Sequence, residues 1–221
     1  YNCGIKKMNR GSMLKTTKSL VIGLCLFSIG VLLKKLNAPI EIDISSFRVL
    51  PIQTHFSDAM EKAVEWAPDA YLNTVDASFS ASNDNDPLQL SYGFRSKKEP
   101  GKWLSVYYSN TDPIHIKISE GEFPQGSDRP LTKEIDIANL PFDSLEAIII
   151  ALENGGEDFL VDHRGSLQGS FLELEQENMA LGEGEHMWHV VFSSSSANLD
   201  TLYITLDAYS GKVVETYRTN Q

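Results

Sequence analysis

The chain has 221 residues, of which 42% are apolar, 10% aromatic and 22% charged. This composition excludes a collagen, a coiled coil, a low-complexity disordered chain and a polytopic membrane protein. The net charge is −11, but residues 1–35 carry seven Lys or Arg and no acid, so residues 36–221 carry a balance of −18. Because phosphate backbones repel so acidic a body, the charge argues against nucleic-acid binding.

The first notable segment is Ser19–Leu33, 15 residues without charge between basic flanks. As a helix it would span about 22 Å, between the length of a signal-peptide core and the roughly 30 Å hydrocarbon core of a bilayer. No A-x-A cleavage site follows, so we expect residues 1–38 to form a cytoplasmic tail and an uncleaved anchor. Five Lys or Arg before the segment and two after it predict a single-pass protein with an extracytoplasmic body. A cleaved signal peptide, giving a secreted body, and a buried helix are the alternatives.

Both cysteines, Cys3 and Cys25, lie in this N-terminal segment. The body therefore has no internal disulfide, no cysteine zinc site and no thiol nucleophile. With 186 residues after residue 35, the body is long enough to bury a core without such staples.

The body reads as two similar halves behind a linker at residues 39–56. Ser57–Ala67 and Phe142–Gly156 each show an apolar stripe at i, i+3, i+4 and i+7, and the two stripes are offset by 85 residues. Asp143 and Glu146 form a capping-box pattern at the start of the second helix. The offset predicts an internal repeat, with a first α+β unit at 57–135 and a second at 136–221.

The same offset relates two strand candidates that begin near a tryptophan, one led by Trp103 and the other by Trp188. Further strand candidates precede them in each half: Thr74–Ser80, Leu88–Phe94, Asp158–His163 and Ser170–Gln176. An alternating run follows each of the Trp-led strands, at Ile114–Ile118 and at Leu202–Leu206. Each half is thus predicted to be a helix followed by about four antiparallel strands, with the helix covering the apolar face of the sheet. Trp103 and Trp188 are interpreted as core residues, and no cofactor is expected.

The end of the second half resembles the PepSY domain, which has a Trp-led strand, a strand closing on Asp-Ala and a Ser/Thr-Gly-x-Val turn. The matching residues are Trp188, Val190, Phe192, Tyr203, Ile204, Asp207, Ala208, Ser210, Gly211 and Val213. The resemblance covers about residues 142–218. The first half is similar to a diverged copy, because after Ile118 it lacks the closing turn.

The resemblance implies a PepSY/cystatin-like helix-plus-sheet fold and a binding role. PepSY-like domains occur in propeptides of secreted metallopeptidases, where they inhibit and assist folding, and in membrane-anchored proteins outside bacterial cells. No catalytic residue is implied. The residues themselves favour a turn role for Asp207, which can bond its own backbone, and for Gly211, which can adopt a positive φ between two strands.

Two segments contain metal-ligand chemistry. Asp84 and Asp86 are spaced as in calcium loops, but no Gly or distal Glu completes an EF-hand, so they are weak candidates beside an Asx-rich loop. Glu183, Glu185, His186 and His189 suit zinc by residue type. In a strand, however, His186 and His189 would point to opposite faces, so no metal site is predicted.

No nucleophile motif is present: G-x-S-x-G is absent, Ser193–Ser196 reads as a hairpin tip, and Asp162, His163 and Arg164 read as a strand end. We therefore expect a non-enzymatic extracytoplasmic binding or regulatory module that acts on a peptidase or an envelope complex through a protein partner, for instance by strand addition. The alternatives are a structural accessory subunit of a membrane assembly and a metal-dependent hydrolase using Glu185 and His186.

Overall fold

The computed structural model describes residues 47–80, 87–110, 115–123, 132–163, 167–176, 184–194 and 200–219. The predicted anchor Ser19–Leu33 and the calcium candidates Asp84 and Asp86 lie outside these residues. Among the helices of the described ranges, none combines the length and the apolar character needed to cross a bilayer.

The described residues form nine strands and three α-helices. The strands are β1 (Arg48–Val49), β2 (Ala70–Ser80), β3 (Gln89–Ser96), β4 (Lys102–Ser109), β5 (His115–Glu122), β6 (Leu167–Gln176), β7 (His186–Ser194), β8 (Thr201–Asp207) and β9 (Val213–Thr219). The helices are α1 (Phe56–Trp66), α2 (Ser144–Ala151) and α3 (Glu157–Asp162), with a 3₁₀ turn at Ile137–Asn139 and a π-turn at Leu152–Gly156.

All strand pairs are antiparallel, and the strands lie in the order β5-β4-β3-β2-β6-β7-β8-β9, with β1 paired to the end of β2. The predicted α+β class with an antiparallel sheet is confirmed. The two predicted sheets, however, are two four-stranded meanders of one sheet, joined where β2 pairs with β6. This joining is favourable because it removes two edges that would otherwise leave backbone groups unpaired.

The side chains of each strand point alternately to the two faces of the sheet, and the helices cover one of these faces. On the helix face, Val75, Leu90 and Ile204 belong to one buried cluster that extends through both meanders and includes alanines of α1 and α2. The opposite face, here called the outer face, carries the polar residues that alternate with them. One helix-covered core thus supports the whole sheet.

The predicted helix stripes are buried in part. Ala63 of α1 and Ile148 of α2 are fully buried, whereas Val64 and Leu145 of the same stripes are exposed. Ala147 and Ala151 of α2 are fully buried beside Ile148, so small residues contribute to the face that packs on the sheet. The capping box at Asp143 and Glu146 is confirmed, and Asp143 Oδ1 also accepts a hydrogen bond from Ile52 N at 2.9 Å.

The predicted strand Asp158–His163 is wrong, since these residues form α3 and the turn after it. Gly155, at φ +117°, interrupts the helical backbone within the π-turn, and the chain restarts as a second short helix with Phe159 and Leu160 buried. Trp188 therefore lies in the second strand of its meander, while Trp103 lies in the third strand of the other. The 85-residue offset does not make the two tryptophans topological equivalents.

Candidate functional site

Strand β9 is one end of the sheet. Among the residues that the structure describes, it pairs with β8 alone, and its side chains from Val214 to Arg218 are exposed. Val214 is 53% exposed and Tyr217 44% exposed. A register shift between Thr205 and Leu206 places a bulge near the start of β9, after which the pairing is regular to Thr219. An exposed edge strand presents unpaired backbone groups to a partner chain.

The start of β9 is held by the turn that contains Asp207 and Gly211. Asp207 Oδ1 accepts hydrogen bonds from Tyr209 N at 3.1 Å and from Ser210 N and Oγ, both at 2.7 Å. The bonds from Ser210 hold the pKa of Asp207 below its ordinary value. Gly211 has φ +67°, and a Cβ there would lie 3.1 Å from Ile150 Cδ1 on α2. Glycine thus serves both the turn and the close approach to the helix.

The end of β9 is held by a charged cluster that joins it to α3. Arg218 Nε donates to both carboxylate oxygens of Asp200, at 2.9 and 2.8 Å, and this lowers the pKa of Asp200. His163 Nε2 lies 3.0 Å from Asp200 Oδ2, and its Nδ1 donates to the Phe159 carbonyl oxygen at 2.8 Å. The Arg218 guanidinium also lies 5.2 Å from the centre of the Phe159 ring. His163, which sequence reasoning placed at a strand end, thus helps to anchor β9.

The two tryptophans occupy different environments. Trp188 is fully buried on the helix face, with its ring 6.4 Å from that of Phe142. Its Nε1 has no hydrogen-bond partner within the described part of the chain. Trp103 lies half-buried on the outer face over its cross-strand partner Gly121, where a Cβ would meet the indole at 2.6 Å.

His186 and His189, whose residue types suit zinc, lie on opposite faces of β7, as the sequence predicted. His186 is buried on the side where its Nε2 donates to the Lys133 carbonyl oxygen at 3.3 Å and its Nδ1 accepts from the Tyr209 hydroxyl at 3.0 Å. Burial lowers the pKa of His186. Glu185 pairs with Lys133 Nζ at 2.7 Å. Over the described ranges, the structure brings together no group of three His, Cys, Asp or Glu that could hold a metal.

A cluster of carboxyl groups on the outer face was missed by sequence reasoning. Asp76 of β2 is the direct cross-strand partner of Glu173 of β6, and Glu175 lies two residues further along β6. Burial and then the neighbouring Glu173 charge raise the pKa of Asp76 to about 7. Burial and then Glu175 raise the pKa of Glu173 to about 7. The spacing of Glu173 and Glu175 was visible in the sequence, but the strand opposite them was not.

Glu175 connects this cluster to β7. Burial and then the charge of Asp76 raise the pKa of Glu175, and its hydrogen bond to Glu173 opposes this rise only in part. Glu175 Oε1 also lies 3.7 Å from His189 Nε2, and His189 Nδ1 lies 3.2 Å from Thr205 Oγ1. A polar row therefore crosses the outer face from β2 to β8.

Comparisons with known proteins give little further information. A scan against protein-family models finds no match, and a search of curated proteins finds none. Among solved structures, a predicted lipoprotein of Clostridium difficile 630 matches with 12% identity and a TM-score of 0.46, over 74% of this chain and 92% of that chain. A likeness this low carries no argument about function.

Proposed function

We propose that the body is a non-enzymatic binding or regulatory module that works outside the cytoplasm and captures an extended segment of a protein partner along β9. The observation that supports this proposal is the end strand itself. Its side chains are exposed, its first residue follows the Asp207 turn, and its end is tied down by Arg218. An edge strand held at both ends loses little conformational entropy when a partner strand pairs with it.

The sequence of β9 suits strand addition. Val213–Thr219 contains no proline and is rich in β-branched and aromatic residues, which favour extended backbone. The other end of the sheet, β5, carries Lys117, Glu120 and Glu122 as exposed charges and has Gly121 one residue before its end. Exposed charges are a device by which edge strands resist pairing. Of the two ends, β9 is therefore the better docking edge.

Charge favours a basic partner. Residues 36–221 carry a balance of −18, so a second copy of this body would be repelled, whereas a Lys- or Arg-containing segment would be attracted. Glu215 lies on the outer-face side of β9 beside Tyr217. A cation placed opposite Glu215 gains a cross-strand ion pair and reaches the Tyr217 ring, which stacks on Tyr203 at 4.5 Å.

The proposal also includes the extracytoplasmic location of the body and its similarity to PepSY domains. The basic segment followed by Ser19–Leu33 supports an extracytoplasmic body, and the PepSY-like turn and strands support a regulatory partner such as a peptidase or an envelope complex. A tag at the C-terminus tests the location. Protease added to intact cells, or to spheroplasts where an outer membrane is present, should remove the tag without lysis. A tag that survives until lysis contradicts the proposed location.

Strand capture is tested with a synthetic peptide of alternating Lys and Val residues, titrated onto the full chain. Glu215→Lys should weaken binding about tenfold, because it replaces an ion pair by a repulsion. Glu120→Lys makes the same charge change on β5 and should alter the affinity less than about twofold. Equal loss of affinity in both variants would mean that the peptide is held by non-specific charge attraction. No loss in Glu215→Lys would remove β9 as the docking edge.

A further inference from the structure

We propose that the pairing of β2 with β6, here called the seam, is a pH-sensitive junction that is held closed while the carboxyl groups of Asp76 and Glu173 are protonated and is loosened when they ionise. This inference is independent of the proposed function. It concerns the place where the two meanders of the sheet meet, and neither the Asp207 turn nor β9 is part of this place.

The seam is short and carries its acids in direct opposition. Residues Val75–Ser78 of β2 pair with Phe171–Leu174 of β6, whereas β6 pairs with β7 from Leu167 to Gln176. Asp76 faces Glu173 across the seam. Side chains in direct cross-strand positions lie about 5 Å apart at Cβ, and like charges there destabilise strand pairing. Ionising both Asp76 and Glu173 therefore weakens the strand pairing that joins the two meanders.

The groups that face this pair offer little compensation. On the row that contains Asp76, β3 contributes Ser91 and β4 Tyr107, and Lys117 of β5 lies three strands away, about 14 Å. On the other side, β7 contributes His189, β8 Thr205 and β9 Glu215. Glu175 adds a third carboxyl group from β6 itself.

His189 faces the carboxyl groups from β7. Its Nε2 lies 3.7 Å from Glu175 Oε1, which is an ion pair when the imidazole is protonated and Glu175 is ionised. This contact joins β6 to β7 and not β6 to β2, so it leaves the direct opposition of Asp76 and Glu173 across the seam in place.

The sign of the effect follows from the shifted pKa values. Asp76 and Glu173 have a pKa of about 7 in the folded chain, against ordinary values of 3.8 and 4.5, so the folded state binds more protons than the unfolded state between these limits. Stability then falls as pH rises through this range and is lowest once both groups are ionised above about 7. This is the reverse of ordinary acid denaturation.

The test is hydrogen exchange of the full chain between pH 6 and pH 8.5, with rates converted to protection factors. Protection of the Phe171–Leu174 amides should fall by about tenfold or more over this range in the unaltered chain. The reason is that pH 6 lies one unit below the pKa of about 7, and one unit corresponds to a factor of about ten in stability for each group. Asp76→Asn combined with Glu173→Gln should reduce the fall to less than about twofold. Glu215→Gln, on the same row but at the exposed end strand, is the matched control and should retain the full effect.

An equal fall in the double variant and in the unaltered chain would overturn the proposal, as would no fall in either. Should the double variant fail to fold, the carboxyl carbons of Asp76 and Glu173 are titrated by NMR in the unaltered chain. Midpoints near 7, together with a loss of seam protection over the same pH range, would support the proposal. Midpoints below about 5 would contradict it.

Discussion

The two meanders share a topology but end differently. The β2–β5 meander ends in β5, where charged side chains flank a glycine that lies under Trp103. The β6–β9 meander ends in β9, which follows the tight Asp207 turn and is tied to α3 through Arg218. The comparison shows that one arrangement of strands can end in two edges with different side chains and different anchoring. The difference lies in side chains and turns, since the strand order is the same.

The tryptophans give the largest expected contrast between the two meanders. Trp188→Ala empties a fully buried site in the second meander and should lower the free energy of unfolding by about 3–5 kcal/mol. Trp103→Ala uncovers a half-buried position on the outer face and should cost about 1–2 kcal/mol. Chemical denaturation of both variants measures the difference. Equal losses would mean that the two tryptophans are equivalent after all.

The anchor of β9 comes next in size. Arg218→Ala leaves the buried Asp200 without its bidentate partner and should cost about 1.5–3 kcal/mol, because hydrogen bonds to charged groups are lost. Hydrogen exchange should show the loss in β8 and β9 and not in β5. Arg218→Lys keeps the charge but not the fork and should give an intermediate loss. A loss spread evenly over both edges would contradict a local anchor.

Replacing one glycine near each edge should lower stability by different amounts at the two edges. Gly211→Ala places a side chain at φ +67° and 3.1 Å from Ile150, and should cost about 1–2 kcal/mol. Gly121→Ala has no φ strain, but its methyl would meet Trp103 at 2.6 Å, which the exposed edge can relieve by moving the indole. We expect it to cost less than about 1 kcal/mol. Thermal unfolding ranks the two variants, and the reverse order would contradict this comparison.

The pH dependence should have opposite signs in the two regions, with the smallest change in total stability at the turn. Asp207 and Asp200 have a lowered pKa, so their stabilising bonds are present above the ordinary value of 3.8 and are lost as pH falls below it. The seam acts near pH 7 and in the other direction. Exchange protection of β9 should therefore fall in acid, and that of the seam in alkali. Asp207→Asn should remove part of the acid effect on β9 only.

Local pattern predicted much of the fold. The capping box at Asp143 and Glu146 and the alternation in β8 identify elements that form from neighbours in sequence. The prediction of a strand at Asp158–His163 was wrong because a short apolar run does not distinguish a strand from a turn and a half of helix. The non-helical backbone at Asn154 and Gly155 separates this short helix from α2.

The candidate sites depend on long-range register, which local pattern does not contain. Asp76 and Glu173 are 97 positions apart in the sequence and meet only because β2 pairs with β6. The same holds for His163, Asp200 and Arg218, which come from α3's end, the start of β8 and β9. The sequence predicted a strand after the turn at Asp207 and Gly211, but its position at the end of the sheet follows only from the strand order.

The most direct test of the account compares hydrogen exchange of the two end strands, with and without the Lys/Val peptide. Binding along β9 should protect alternate amides of Glu215–Thr219, because the partner backbone pairs with every second residue of an edge strand. The amides of Lys117–Glu122 in β5 should remain unchanged. Protection of β5 in place of β9, or of neither edge at peptide saturation, would contradict the claim that β9 is the docking edge.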